Sequence, residues 1–84
     1  MFLHVTEVRH IGGYGLELTF TDGCVKLVDL RDELHGEVFE PLKDMAFFRQ
    51  VFVNLQTRTI EWPNGADFAP EFLHQIGKSI KQVA

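Results

Sequence analysis

The chain has one cysteine, three prolines and no apolar run near the ~20 residues that span a bilayer. With Cys24 alone, no intramolecular disulfide can form, and no Cys-x-x-Cys or Cys/His zinc spacing occurs. Met1–Val8 contains Glu7 and lacks a long apolar stretch, so it does not read as a secretory signal. A concentrated basic face is missing too. The eight Lys and Arg residues are scattered, and the net charge is −4. Binding nucleic acid requires clustered cations to displace counterions from phosphates, so direct binding is not expected. Acids instead gather mid-chain: Asp29, Asp32, Glu33, Glu37, Glu40 and Asp44 accompany only Arg31 and Lys43. Such a run reads most simply as a solvated loop, or functionally as a surface that meets a basic protein. The expectation is a cytoplasmic protein with no membrane segment and no cofactor.

What is present points to one domain, residues 1–84. The apolar fraction is 45%, with eight Phe and one Trp, so large rings must fill a small core. A chain this short buries only about 60% of its unfolded surface. Self-association is one way to bury more, and a homodimer is expected.

Residues 2–8 read as a first strand, and Gly12-Gly13-Tyr14-Gly15 as a turn rather than a phosphate loop, since a strand follows it. Residues 14–30 read as a hairpin with Asp22-Gly23 as a two-residue type I′ turn. That register sets Phe20 opposite Val25, Leu18 opposite Leu27 and Leu16 opposite Asp29. Leu16, Leu18, Phe20, Val25 and Leu27 then share the core face, and Cys24 and Lys26 lie on the other. Asp29 falls on the apolar face, where a bare carboxylate is too costly to bury, so it must reach the rim or cap the next turn.

A helical turn is expected near Asp32–Leu34, with Val38, Phe39 and Leu42 pinning the loop that follows. Asp44 suits the N-cap of a short helix from Met45, burying Phe47, Phe48 and Val51. A second hairpin pairs 51–54 with 59–62. Pro63-Asn64-Gly65 then forms a type I turn with Gly65 left-handed. Pro70 opens a final helix. Its apolar side runs through Phe72, Leu73, Ile76, Ile80 and Val83. Gly77 weakens that helix by about 1 kcal/mol relative to Ala, or lets it approach the sheet. The expected fold is a two-layer α+β domain with a mainly antiparallel sheet, in the order β-β-β-α-β-β-α, and helices on one face.

This pattern resembles the bacterial family of domain of unknown function 2442. The resemblance rests on "LELTFTDG" (16–23), on "VFEPL" (38–42), and above all on Ile60, Trp62–Asp67, Pro70, Glu71 and Leu73. It implies a compact α+β fold with no catalytic residues. In some relatives the domain is joined to a helix-turn-helix domain. Members also tend to be encoded beside another small protein, as toxin–antitoxin pairs are. No helix-turn-helix is expected within these 84 residues, which argues against a direct repressor role. Ala69 departs from the acidic cap that the family places before the helix-starting proline.

The stretch "IEWPNGADFAPEFL" (60–73), with the residue that follows it, concentrates the chemistry: Glu61, Trp62, Asn64, Asp67, Glu71 and His74. Glu71 and His74 share a helix face, and Asp67 would be a third metal ligand, but the set is incomplete. Paired acids there would serve general acid–base work. The structural alternative is a corner: Trp62 lies across the core with its indole N–H near the surface, and Asp67 caps backbone N–H groups. His4, His10 and His35 sit apart and read as surface histidines.

The reading that follows is a non-catalytic protein-interaction or regulatory module, an antitoxin-like partner of a neighbouring gene product. Two alternatives stand beside it. One is a small-ligand or metal-binding domain with a pocket near Trp62, Asp67 and His74. The other is a component of a DNA-binding regulator. Trp62, Asn64, Asp67, Glu71 and His74 are the candidate binding surface.

Overall fold

A computed structural model describes residues 2–81. The strands are β1 (Val5–Gly12), β2 (Gly15–Phe20) and β3 (Val25–Asp29), then β4 (Phe52–Asn54), β5 (Thr59–Glu61) and β6 (Lys78–Lys81). The helices are α1 (Met45–Phe48) and α2 (Pro70–Ile76), with 3-10 turns at Arg31–Glu33 and Glu40–Lys43. A four-stranded antiparallel sheet has the order β1-β2-β3-β6, and β4 and β5 form a second, two-stranded sheet. The class is α+β, as expected. The observed element order adds β6 to the expected one.

Strand β2 shows the period of two most clearly: Leu16, Leu18 and Phe20 are buried, and Gly15, Glu17 and Thr19 between them are half-buried. Its pairing with β3 differs from the expected register by one residue. Leu16 pairs with Val28, Glu17 with Leu27 and Leu18 with Lys26. The cause is the loop. A type I′ turn requires positive φ at both Asp22 and Gly23, and only Gly23 has it, at 89°. Thr21-Asp22-Gly23 is therefore a three-residue loop. Phe20 N–H donates to Cys24 O and Gly23 N–H to Phe20 O.

A one-residue slip turns every side chain of β3 to the opposite face. Cys24 (5% exposed) and Val28 enter the core, while Leu27 is 36% exposed and Val25 half-buried. Asp29 leaves the apolar face altogether. It is exposed, and its Oδ1 accepts from Arg31 N–H. Lys26 takes a place on the core side, resolved by snorkelling: its stem packs under Gly77 and its ammonium reaches α2.

The final helix is shorter than its apolar periodicity predicts. It stops at Ile76, and Lys78 pairs with Leu27 in β6. Gly77 marks the crossing. Its backbone is extended (φ −74°, ψ 153°), and a Cβ there would lie 3.0 Å from Lys26 Cβ and 3.0 Å from Leu73 O. Ile80, expected on the buried helix face, is half-exposed in β6, and Val83 lies outside the described residues.

Two expected elements form in part: α1 is only four residues long, and Phe47 and Val51, expected to be buried by it, are half-buried. Asp44 caps α1 through Ala46 N–H at 3.3 Å, and Phe48 is fully buried. Leu34 and Leu42 pin the 30–44 excursion, and Phe39 packs against the core. Val38, expected to help, is exposed instead. The core continues as a chain of rings: Tyr14 to Phe48 (5.2 Å), Phe48 to Trp62 (5.5 Å), Trp62 to Phe68 (6.0 Å) and Phe68 to Phe39 (4.8 Å). Among the described residues, no buried side-chain nitrogen or oxygen lacks a hydrogen-bond partner. No helix among them is long and apolar enough to cross a membrane.

Candidate functional site

The residues of the 60–74 stretch do not meet around one pocket. Trp62 is fully buried, and its indole N–H donates to Phe48 O at 2.9 Å. The expectation of an N–H near the surface is thus corrected: a buried indole N–H needs a partner, and the end of α1 supplies one. Asn64 is exposed in its turn, where Oδ1 accepts from Ala66 N–H at 3.1 Å and Nδ2 donates to Val38 O at 2.8 Å. Asp67 is exposed, and its backbone forms an isolated bridge with Glu61. Its carboxylate takes no part in capping, and Ala69, at the N-cap of α2, supplies no side-chain cap. Glu71 is exposed on α2. His74 turns away from both acids.

His74 instead meets the β2–β3 loop. Its Nε2 lies 2.8 Å from Asp22 Oδ2, and its Nδ1 lies 3.3 Å from Lys26 Nζ. Lys26 Nζ also donates to His74 O at 2.7 Å, placing a cation at the C-terminal end of α2 where the helix dipole favours it. The His74 ring sits edge-on against Phe20, with centroids 4.9 Å apart. An ammonium only donates and a carboxylate only accepts. The arrangement that satisfies both neighbours has Nδ1 bare toward Lys26 and Nε2–H donating to Asp22.

Asp22 is held from its other side as well. Its Oδ1 accepts from Cys24 N–H at 2.9 Å. The Asp22 carboxyl is held below its ordinary value. The Cys24 backbone N–H is the largest cause, partial burial opposes it, and hydrogen bonds from His74 and the Cys24 thiol add to the lowering. Asp22, Cys24 and His74 thus present a carboxylate oxygen, a sulfur and a ring nitrogen within 4.8 Å of one another.

Sequence reasoning found His74 but gave it the wrong neighbours. Asp22 and His74 are 52 residues apart. The expected hairpin register also put Cys24 on the non-core face, whereas the three-residue loop turns it inward. The one legible signal is Asp29: a register that buries a bare carboxylate is disfavoured against one shifted by a single residue. Of the remaining histidines, His35 is exposed as expected, while His4 and His10 are half-buried rather than on the surface. His10 Nε2 lies 2.7 Å from Gly13 O and its ring packs edge-on against Phe48.

Fold and site together define a small α+β sheet domain with a polar cluster at one hairpin loop. The family model described as "Protein of unknown function (DUF2442)" matches residues 5–78, and the chain belongs to that family. No curated protein and no solved structure is significantly similar to it.

Proposed function

We propose that the protein is a non-catalytic, cytoplasmic interaction module that docks a basic partner protein on the 29–44 excursion, as an antitoxin or regulatory subunit would. One observation carries this reading: the net charge resides in that segment. Residues 29–44 hold six acids and two bases, a net charge of −4. The other six acids and six bases cancel, so the segment accounts for the net −4 of the whole chain. Asp32, Glu37, Glu40 and the apolar Val38 are all exposed. The segment is also anchored, by buried Leu30, Leu34 and Leu42, by Asn64 Nδ2 on Val38 O, and by the Tyr14 hydroxyl on Lys43 O. A preformed acidic surface loses less ordering entropy on binding than a flexible loop would.

The test is affinity capture from the native host, with the wild-type chain and with Asp32→Asn/Glu37→Gln/Glu40→Gln. A stoichiometric basic protein, held less tightly as salt rises and lost by the neutralised variant, is the expected result. Recovery of no stoichiometric partner overturns the reading, as does equal capture by both chains. Self-association belongs to the same proposal. Phe2 and Leu55 are each 85% exposed, and Leu55 lines a concavity of about 320 Å³ with His4 and Thr21. Sedimentation velocity of wild type and Leu55→Ser decides whether a second copy covers them.

A further inference from the structure

We propose that Asp22, Cys24 and His74 form a binding site for a single thiophilic divalent cation, with zinc as the expected occupant. The three donors lie within 4.8 Å of one another, a separation that a tetrahedral ion can close with small side-chain movement. Each donor is positioned by something other than the ion. Cys24 N–H holds Asp22 Oδ1, leaving Oδ2 directed at His74. T-shaped packing against Phe20 sets the imidazole plane. Cys24 is seated in the core by the three-residue loop. One thiolate, one imidazole and one carboxylate suit zinc and cobalt better than calcium or magnesium, which prefer oxygen alone. Two anionic ligands also balance the charge of a divalent ion. The side chains of His74 and Asp22 are 28% and 35% exposed, so the ion's fourth position faces solvent.

Lys26 opposes this site and sets its strength. A cation on His74 Nε2 displaces the proton now donated to Asp22, and that proton moves to Nδ1. Lys26 Nζ, 3.3 Å from Nδ1, then faces a donor instead of an acceptor and must withdraw to its other bond, with His74 O at 2.7 Å. The Cys24 thiol proton leaves to solvent, one per ion bound. Binding is therefore weakened by the same lysine that holds the metal-free cluster together. This site is separate from the acidic 29–44 surface, so either proposal can fail alone.

The experiment is a cobalt(II) titration of the reduced full-length chain, followed by displacement with zinc. A thiolate-to-cobalt charge-transfer band that saturates at one ion per chain and is bleached by zinc is expected. Cys24→Ser should abolish the band. Asp22→Asn should weaken cobalt binding about tenfold or more. That variant keeps the loop, because Asn64 fills the same position in the second loop of this protein. Lys26→Met should tighten binding, an outcome that a merely structural lysine does not produce. The proposal is overturned if folded wild-type protein shows no band at millimolar cobalt. It is also overturned if the band survives Cys24→Ser, or if Asp22→Asn leaves the affinity unchanged while circular dichroism shows it folded.

Discussion

The loops Phe20-Thr21-Asp22-Gly23-Cys24 and Trp62-Pro63-Asn64-Gly65-Ala66 are built alike. In each, the first residue's N–H donates to the fifth residue's carbonyl, at 2.9 Å in both. The fourth residue's N–H donates back to the first residue's carbonyl, at 3.0 and 2.9 Å. The fourth residue is a glycine at φ 89° in both. The third residue's Oδ1 accepts from the fifth residue's N–H, at 2.9 Å for Asp22 and 3.1 Å for Asn64. The flanking residues are buried in both cases: Phe20 and Cys24, Trp62 and Ala66.

They differ in the other atom of the third side chain. Asp22 has a second acceptor and takes His74; Asn64 has a donor and gives it to Val38 O. Local geometry is thus set by the glycine and one oxygen. The long-range partner is chosen by what the remaining atom can do. One loop was read correctly from sequence and the other was not. In the second, Pro63 fixes the first turn position. In the first, Asp-Gly is equally at home in a two-residue turn, so local chemistry left the register open.

The two loops can be pulled apart by substitution. The largest effects should come from the buried flanks. Trp62→Ala and Phe20→Ala should each cost about 3–5 kcal/mol in chemical denaturation. Trp62→Ala should be the worse of the two, since it also removes the shorter of the two hydrogen bonds to the Phe48 carbonyl, leaving only Val51 N–H at 3.3 Å. Next come the glycines. Gly23→Ala and Gly65→Ala force a Cβ into the same left-handed conformation and should each cost about 1–2 kcal/mol. A clear inequality between them would break the equivalence of the loops.

Smaller still is Asn64→Asp, which keeps the turn oxygen but sets a carboxylate against Val38 O. About 1 kcal/mol is expected, the net worth of one hydrogen bond. The mirror substitution, Asp22→Asn, should change stability least at neutral pH and most clearly alter its pH dependence. The folded Asp22 carboxyl titrates below its ordinary value of 3.8. Its contribution is therefore complete above that value and lost as pH falls through the lower, folded one. Urea midpoints measured from pH 7 to pH 2 should show a shallower acid limb for Asp22→Asn than for wild type. Identical limbs would show that Asp22 has no special hold in the folded state.

Much of the fold could be read because the relevant signals are local. The alternation of β2, the Asp44 cap, the proline start of α2 and the Pro-Asn-Gly turn each depend on a few adjacent residues and their own backbone. The end of α2 was harder to read. Phe72, Leu73 and Ile76 continue in phase with Ile80, so periodicity alone extends the helix. Gly77 instead leaves the helix and passes close over Lys26, so that Lys78 pairs with Leu27, an arrangement that exists only once β3 is in place. The candidate site was half legible for the same reason. His74 and Asp67 stand close in sequence, yet the face of α2 that packs on Phe20 carries His74 to Asp22 and leaves Asp67 in solvent.

Short-range chemistry alone accounts for the α+β class, the positions of both hairpin loops, the acidic character of residues 29–44 and the family. Tertiary structure decided the register of β3, the sixth strand and the Asp22–Cys24–His74–Lys26 cluster. Each of these turns on a competition between distant groups. Keeping Asp29 out of the core required Lys26 to face it, and the C-terminal end of α2 was the acceptor that made that placement stable.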